Sequence, residues 1–125
     1  MWGVADLFPG LAENRESIGL PEWVEPREPW SILAPDSDCG LMAQIENLIE
    51  CLEEGAEIVQ DSRIDNSSGR VYINPSASID QFVRIEGPCY IGADAEIRHT
   101  AYLRGGSWIC EGSVVGHATE VKNSI

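Results

Sequence analysis

The sequence predicts an all-β solenoid, a parallel β-helix of about three 18-residue coils preceded by an irregular leader and one capping α-helix. A hexapeptide repeat is the main observation behind this prediction. Its first position holds a branched aliphatic residue at Ile73, Ile79, Ile85, Ile91, Ile97, Leu103, Ile109, Val115 and Val121. Four residues later comes a mostly small residue, at Ala77, Val83, Cys89, Ala95, Ala101, Ser107, Ser113, Thr119 and Ile125.

The repeat indicates short strands, because six is divisible by two and residues two apart on a strand share a face. Each small residue and the aliphatic two positions after it therefore point the same way, inward. Turn-forming pairs such as Asn74-Pro75 and Gly105-Gly106 separate the strands.

Three faces per coil place residues eighteen apart in one column, about 4.8 Å from each other. The inward columns are aliphatic: Ile73/Ile91/Ile109, Ile79/Ile97/Val115 and Ile85/Leu103/Val121. Two outward columns also group related residues, aromatic in Tyr72/Tyr90/Trp108 and charged in Glu86/Arg104/Lys122.

The N-terminal part, residues 1–57, combines a leader and a helix. Residues 1–35 carry five of the seven prolines together with Trp2, Phe8, Trp23 and Trp30. Such a segment is expected to wrap over an apolar surface. Helical spacing then joins Leu41, Met42, Ile45, Leu48, Ile49 and Leu52, after N-cap candidates at residues 36–38 and before Gly55. We expect this helix to cover the open first coil, which needs a cap.

The repeat domain, residues 58–125, is expected to be irregular at its start. Ile58 and Ile64 are six apart, with Ser62 and Ser68 in the small position, but a three-residue slip separates Ile64 from Ile73. The ninth hexapeptide stops at Ile125 without a cap. We therefore expect a C-terminally truncated β-helix; the alternative is a compact protein whose last coil is covered by a partner chain.

Composition limits the partners and the location. The net charge of -13 argues against nucleic acid and anionic membranes. Neither a membrane span nor a secretory signal is evident, so a cytoplasmic protein is expected. The four cysteines form no CxxC pair, which favours reduced structural thiols over disulfides or zinc.

The repeats resemble the left-handed parallel β-helix of hexapeptide acyltransferases. The runs YLRGG (residues 102–106) and VGHATEVKNS (residues 115–124) are similar to the acetyltransferase domain of bifunctional N-acetylglucosamine-1-phosphate uridyltransferases and of sugar-1-phosphate nucleotidyltransferase-like proteins. This resemblance covers residues 71–125, and left-handedness is implied by it alone. Residues 1–70 lack a GxGxRxxP phosphate loop, so uridyl transfer is not expected.

The resemblance implies a transferase of nucleotide-sugar metabolism that N-acetylates an amino-sugar 1-phosphate, uses acetyl-CoA as co-substrate, and forms a homotrimer with sites between subunits. It places the sugar phosphate on Arg104 and Lys122. It assigns no catalytic residue here, because the family's general-base histidine would lie beyond Ile125. The alternative is a non-catalytic β-helix that binds a sugar phosphate or acts as an oligomerisation scaffold.

Three columns of outward-facing residues can each be interpreted in two ways. Arg104 and Lys122 either bind an anion, which we favour, or are neutralised locally by Glu86 and Glu120. His99 and His117 are favoured as solvated or interface histidines over a metal site, because no third ligand is fixed beside them. The aromatic column is favoured as a packing wall for the leader over a stacking platform for sugar or adenine.

Overall fold

The computed structural model describes residues 4–7, 20–22, 29–52 and 61–125. A short helix α1 (Val4–Leu7), a 3-10 helix (Pro29–Leu33) and helix α2 (Leu41–Leu52) precede the strands. The ten strands are β1 (Ile64–Asp65), β2 (Val71–Ile73), β3 (Ser78–Ile79), β4 (Arg84–Glu86), β5 (Cys89–Ile91), β6 (Glu96–Ile97), β7 (Tyr102–Leu103), β8 (Ser107–Ile109), β9 (Val114–Val115) and β10 (Glu120–Val121). Trp2, Phe8, Trp23, Gly55 and Ile58, which entered the sequence predictions, lie outside the described residues.

The strands form a parallel β-solenoid of about three turns, which confirms the predicted fold class. Sheet A has the order β1-β4-β7-β10, sheet B the order β2-β5-β8, and sheet C the order β3-β6-β9. Every pair from β2 onward joins residues eighteen apart, such as Ile91 with Ile109, Ile97 with Val115 and Leu103 with Val121. The three aliphatic columns are therefore confirmed.

The expected slip occurs between β1 and β4, where Ile64 pairs with Ile85 across twenty-one residues. The additional residues form a hydrogen-bonded corner before β2. Asp65 Oδ1 accepts from the Ser67 N–H at 2.9 Å, and Asn66 Oδ1 accepts from the Val71 N–H at 3.0 Å. The corner also contacts α2, since Glu46 Oε1 accepts from the Arg70 N–H at 2.9 Å.

The solenoid interior is filled by the inward positions of the repeat. Ile85, Ile91, Ile97 and Leu103 are completely buried. Cys89 is equally buried in a small position, and burial raises the pKa of its thiol to about 12.

Helix α2 is confirmed, and its buried face consists of Leu41, Ile45 and Ile49. These residues pack with Ile32 and the aromatic column of sheet B. The helix thus covers the outer side of the solenoid, in contact with β5 and β8, whereas we expected it over the end of the first coil. The aromatic side chains explain the difference, because they offer a larger apolar surface than the strand edges of one coil.

The start of α2 also differs from the expected caps at residues 36–38. The Gly40 carbonyl accepts the first helical hydrogen bond, from the Gln44 N–H at 3.0 Å. A Cβ at position 40 would clash with the Ala34 carbonyl oxygen. Only glycine fits this close approach, which is why it precedes the helix in place of an Asp or Ser.

The segment before α2 is tied to the last coil as well as to the helix. Asn123 Nδ2 donates to the Leu33 carbonyl oxygen at 2.7 Å. The Ser124 hydroxyl donates to the Lys122 carbonyl oxygen at 2.7 Å. Ser124 also forms a parallel β-bridge with Ser107. The residues after Lys122 are consequently held by contacts with Leu33 and with β8.

Candidate functional site

The outer surface of sheet A, called here the charged face, contains Asp65, Arg84, Glu86, Tyr102, Arg104, Glu120 and Lys122. These residues alternate with the inward aliphatics Ile64, Ile85, Leu103 and Val121, so the strand period of two places them outside. The two residues predicted to bind substrate, Arg104 and Lys122, both lie on this face.

The structure brings Arg104 and Lys122 together on successive coils. Leu103 pairs with Val121, and the Arg104 N–H donates to the Val121 carbonyl oxygen at 2.8 Å. Their Cα positions are therefore separated by one strand spacing, about 4.8 Å. Two positive side chains can reach one anion from this arrangement.

Arg104 has a partner within the chain. Its Nη1 donates to Glu120 Oε1 at 2.9 Å, and this bond raises the pKa of Arg104 above its ordinary value. The guanidinium also lies 5.8 Å from the centroid of the Tyr102 ring, within the range of a cation–π contact. An incoming anion would compete with Glu120 for a guanidinium that these contacts orient.

Glu86 forms no direct ion pair with Arg104, although its negative charge contributes, after Glu120, to raising the pKa of Arg104. Glu86 Oε1 instead accepts a hydrogen bond from the Tyr102 hydroxyl at 2.8 Å and lies 3.5 Å from Arg84 Nη2. Arg84 pairs in turn with Asp65 at 2.9 Å. The carboxylate of Glu86 is thus engaged by Arg84 on its own strand and by Tyr102 on the next coil. The hydrogen bond from Tyr102 raises the pKa of the Tyr102 hydroxyl.

Tyr102 is a site residue that sequence reasoning missed. The strand period of two could have placed Tyr102 on the charged face, because it lies two residues before Arg104. It also lies eighteen residues before Glu120, with which it pairs across the sheet. Tyr102 contacts charged residues on both sides: its hydroxyl donates a hydrogen bond to Glu86, and its ring faces Arg104.

Lys122 is exposed and forms no ion pair with any residue that the structure describes. It is also the only lysine in the chain. In a protein of net charge -13, an ammonium group beside a guanidinium, and without its own carboxylate among the described residues, can bind phosphate oxygens.

The aromatic column is a packing surface, but helix α2 covers most of it, whereas the sequence favoured the leader as its partner; Ile32 is the leader residue that joins the cluster in the described part of the chain. The Tyr72 and Tyr90 rings stack with centroids 5.5 Å apart, and Tyr90 lies 5.0 Å from Trp108. Trp108 is only 5% exposed beneath α2 and Ile32. A sugar or adenine ring therefore cannot stack on Trp108 while α2 occupies this side.

His99 and His117 stack on the corner that joins sheet C to sheet A, with ring centroids 5.5 Å apart. Both side chains are exposed. Over the described ranges, no group of three or more His, Cys, Asp or Glu side chains is placed to hold a metal ion. The fold thus provides paired imidazoles without a third protein ligand.

Comparisons with known proteins found no matching family model, no matching curated protein and no matching solved structure. Among the described residues, no helix combines the length and apolar character needed to cross a membrane.

Proposed function

We propose that this chain binds the phosphate group of an amino-sugar 1-phosphate on its charged face, through Arg104 and Lys122. The observation that carries the proposal is the placement of these two cations directly after the adjacent strands β7 and β10, with Lys122 exposed and lacking an ion pair in the described part of the chain. A guanidinium fork and an ammonium group together match the oxygens of a phosphate.

Binding requires a rearrangement of one ion pair. A phosphate that bonds Arg104 competes with Glu120, whose carboxylate holds the guanidinium in the free protein. The Tyr102 ring remains beneath Arg104 and keeps the guanidinium on the charged face. Because solvent reaches the Glu120 and Lys122 side chains and part of the Arg104 side chain, salt should weaken the bound complex.

We further propose that the complete protein is an acetyl-CoA-dependent N-acetyltransferase of the hexapeptide type. The support is the resemblance of residues 71–125 to that family. In such a reaction the sugar amine attacks the thioester carbonyl, an amide bond forms, and coenzyme A leaves as its thiol. Arg104 and Lys122 would position the acceptor by its phosphate, and the family's base and acyl-donor contacts would come from outside the described residues. A homotrimer and a cytoplasmic location belong to the same proposal.

The second candidate is a non-catalytic β-helix that binds a sugar phosphate or serves as an oligomerisation scaffold. One observation favours it. The two histidines precede β7 and β10, whereas Arg104 and Lys122 follow these strands, so the described residues provide no histidine base at the ends of the strands where the two cations lie.

Calorimetric titration with inorganic phosphate and with glucosamine 1-phosphate tests the binding proposal. We expect weak binding of both, abolished by Lys122→Ala and by high salt. Arg98→Ala is the matched control, because it removes one positive charge from a different sheet, where Arg98 pairs with Glu96 at 2.8 Å. Equal losses of phosphate affinity in the two variants would show that only the net charge of the protein matters, and would refute a site at Lys122.

A second measurement separates the two candidate functions. The chain is incubated with acetyl-CoA and glucosamine 1-phosphate, and the acetylated sugar is measured by mass spectrometry. Product that disappears in Lys122→Ala supports the transferase. Phosphate binding without product supports the non-catalytic module for this chain.

A further inference from the structure

The corner between sheets C and A brings His99 and His117 into a parallel pair. Their ring planes differ by 11° and their centroids are 5.5 Å apart. Each residue lies in the turn before a strand of sheet A, His99 before β7 and His117 before β10. Both side chains are exposed, so solvent and ions can reach the two rings.

The pairing follows from the similar backbone conformation of the two turns. The residue after each histidine has a left-handed conformation, with φ of 62° at Thr100 and 52° at Ala118. The Ala118 N–H donates to the His99 carbonyl oxygen at 3.2 Å, which joins one turn to the next. Two turns of the same shape, one strand spacing apart, direct their side chains the same way.

The imidazole nitrogens form no hydrogen bond with any residue in the described part of the chain. A neutral imidazole carries one nitrogen lone pair, which suits Zn²⁺, Cu²⁺ and Ni²⁺. A tetrahedral ion bound at about 2.0–2.1 Å by two nitrogens holds them roughly 3 Å apart. From their stacked arrangement, with centroids 5.5 Å apart, the two exposed rings would have to turn toward each other to bind one ion.

The electrostatic surroundings favour a cation. The neighbouring Arg98 is engaged by Glu96 at 2.8 Å, so its positive charge is offset. Asp80 occupies the position equivalent to Arg98 one coil earlier, and the chain carries a net charge of -13. This field raises the local concentration of divalent cations near the corner.

We propose that His99 and His117 form a surface site for a late first-row divalent cation, Zn²⁺, Cu²⁺ or Ni²⁺, held by one nitrogen of each imidazole and by water. The sequence pattern shows no third ligand and therefore favours solvated or interface histidines. The parallel rings change this interpretation, because two aligned imidazoles suffice for an exchangeable ion. Four protein ligands would be expected only of a structural zinc site.

The test is a Zn²⁺ titration at pH 7.5, followed by NMR of histidine labelled with ¹³C and ¹⁵N. Only two histidines contribute signals. A Cys51→Ser background removes an exposed thiol that would compete for the ion. We expect both histidines to shift along one shared binding curve that saturates at one ion per chain, without a change in molecular mass by sedimentation.

Variants decide whether the two imidazoles act together. His99→Gln and His117→Gln should each weaken Zn²⁺ binding at least tenfold, since each leaves a single imidazole. Gln81→Ala is the matched control, because Gln81 occupies the same column one coil earlier, and it should leave the affinity unchanged. Separate binding curves for the two histidines, an unaltered affinity in His99→Gln, or a zinc-dependent increase in mass would each overturn the proposal.

Discussion

Ile97 offers the sharpest test of the coil register, because it is completely buried at the centre of its inward column. It pairs with Ile79 on one side and Val115 on the other. Ile97→Ala removes three buried carbons, at about 0.8 kcal/mol each, and leaves a cavity, so the expected loss is about 2–5 kcal/mol. Ile97→Asp adds an unpaired buried carboxylate and should prevent folding, since the whole stability is on the order of 5–15 kcal/mol.

The matched control is Val114→Ala on the same sheet. Val114 points outward and is 53% exposed, so its truncation should cost less than about 0.5 kcal/mol. Urea unfolding followed by circular dichroism measures both variants. With a slope of about 1–3 kcal/mol per molar urea, Ile97→Ala should lower the midpoint by about 1 M or more. Equal midpoints for the two variants, or a cooperatively folded Ile97→Asp protein, would refute the inward register.

Three further predictions concern charges and the buried thiol. Glu120→Gln frees Arg104 from its internal partner and should tighten phosphate binding about two- to fivefold by calorimetry; weaker binding would show that Glu120 assists the ligand. Cys89, whose pKa is raised to about 12 by burial, should resist iodoacetamide in the native protein and react after unfolding, whereas native labelling would place it at the surface. The pKa of Asp61 is lowered to about 2 by its bond to Arg63, so this carboxylate stabilises the fold above about pH 4 and the stabilisation disappears as pH falls toward 2. Asp61→Asn should remove this loss of stability between about pH 4 and pH 2. An unchanged acid unfolding transition in the variant would contradict a stabilising role of the Asp61–Arg63 bond.

The solenoid was predictable because each coil repeats the same two constraints, an aliphatic residue inward and a turn after each strand. Ile97 could be assigned to the core from its spacing alone. The slip before Ile73 was equally visible, because nine residues in place of six separate it from Ile64. Local periodicity determines these features, so one sequence suffices to find them.

The position of α2 could not be predicted from periodicity. Its apolar stripe shows that Ile45 and Ile49 are buried, but two apolar surfaces were available, the end of a coil and the aromatic column with Trp108. The choice depends on tertiary packing over a wide sequence separation, and it is reinforced by the Asn123–Leu33 hydrogen bond. Neither the packing nor this hydrogen bond can be inferred from the pattern within a single repeat.

The sequence also could not predict which carboxylate pairs with Arg104 on the charged face. The alternation identified the exposed positions, yet Glu86 and Glu120 were both possible partners for Arg104. The structure pairs Arg104 with Glu120 and directs Glu86 to Tyr102 and Arg84. Such choices depend on side-chain conformers at diagonal positions of the sheet, which spacing does not specify.

Lys122 provides the most direct test of the central claim, phosphate binding on the charged face. Because it is the only lysine in the chain, lysine labelled with ¹³C and ¹⁵N yields one side-chain Cε signal that reports on this position alone. Titration with glucosamine 1-phosphate should shift that signal along a saturable curve, and high salt should reverse the shift. A signal that stays unmoved throughout the titration, in a protein whose circular dichroism remains native, would contradict a phosphate site at Lys122.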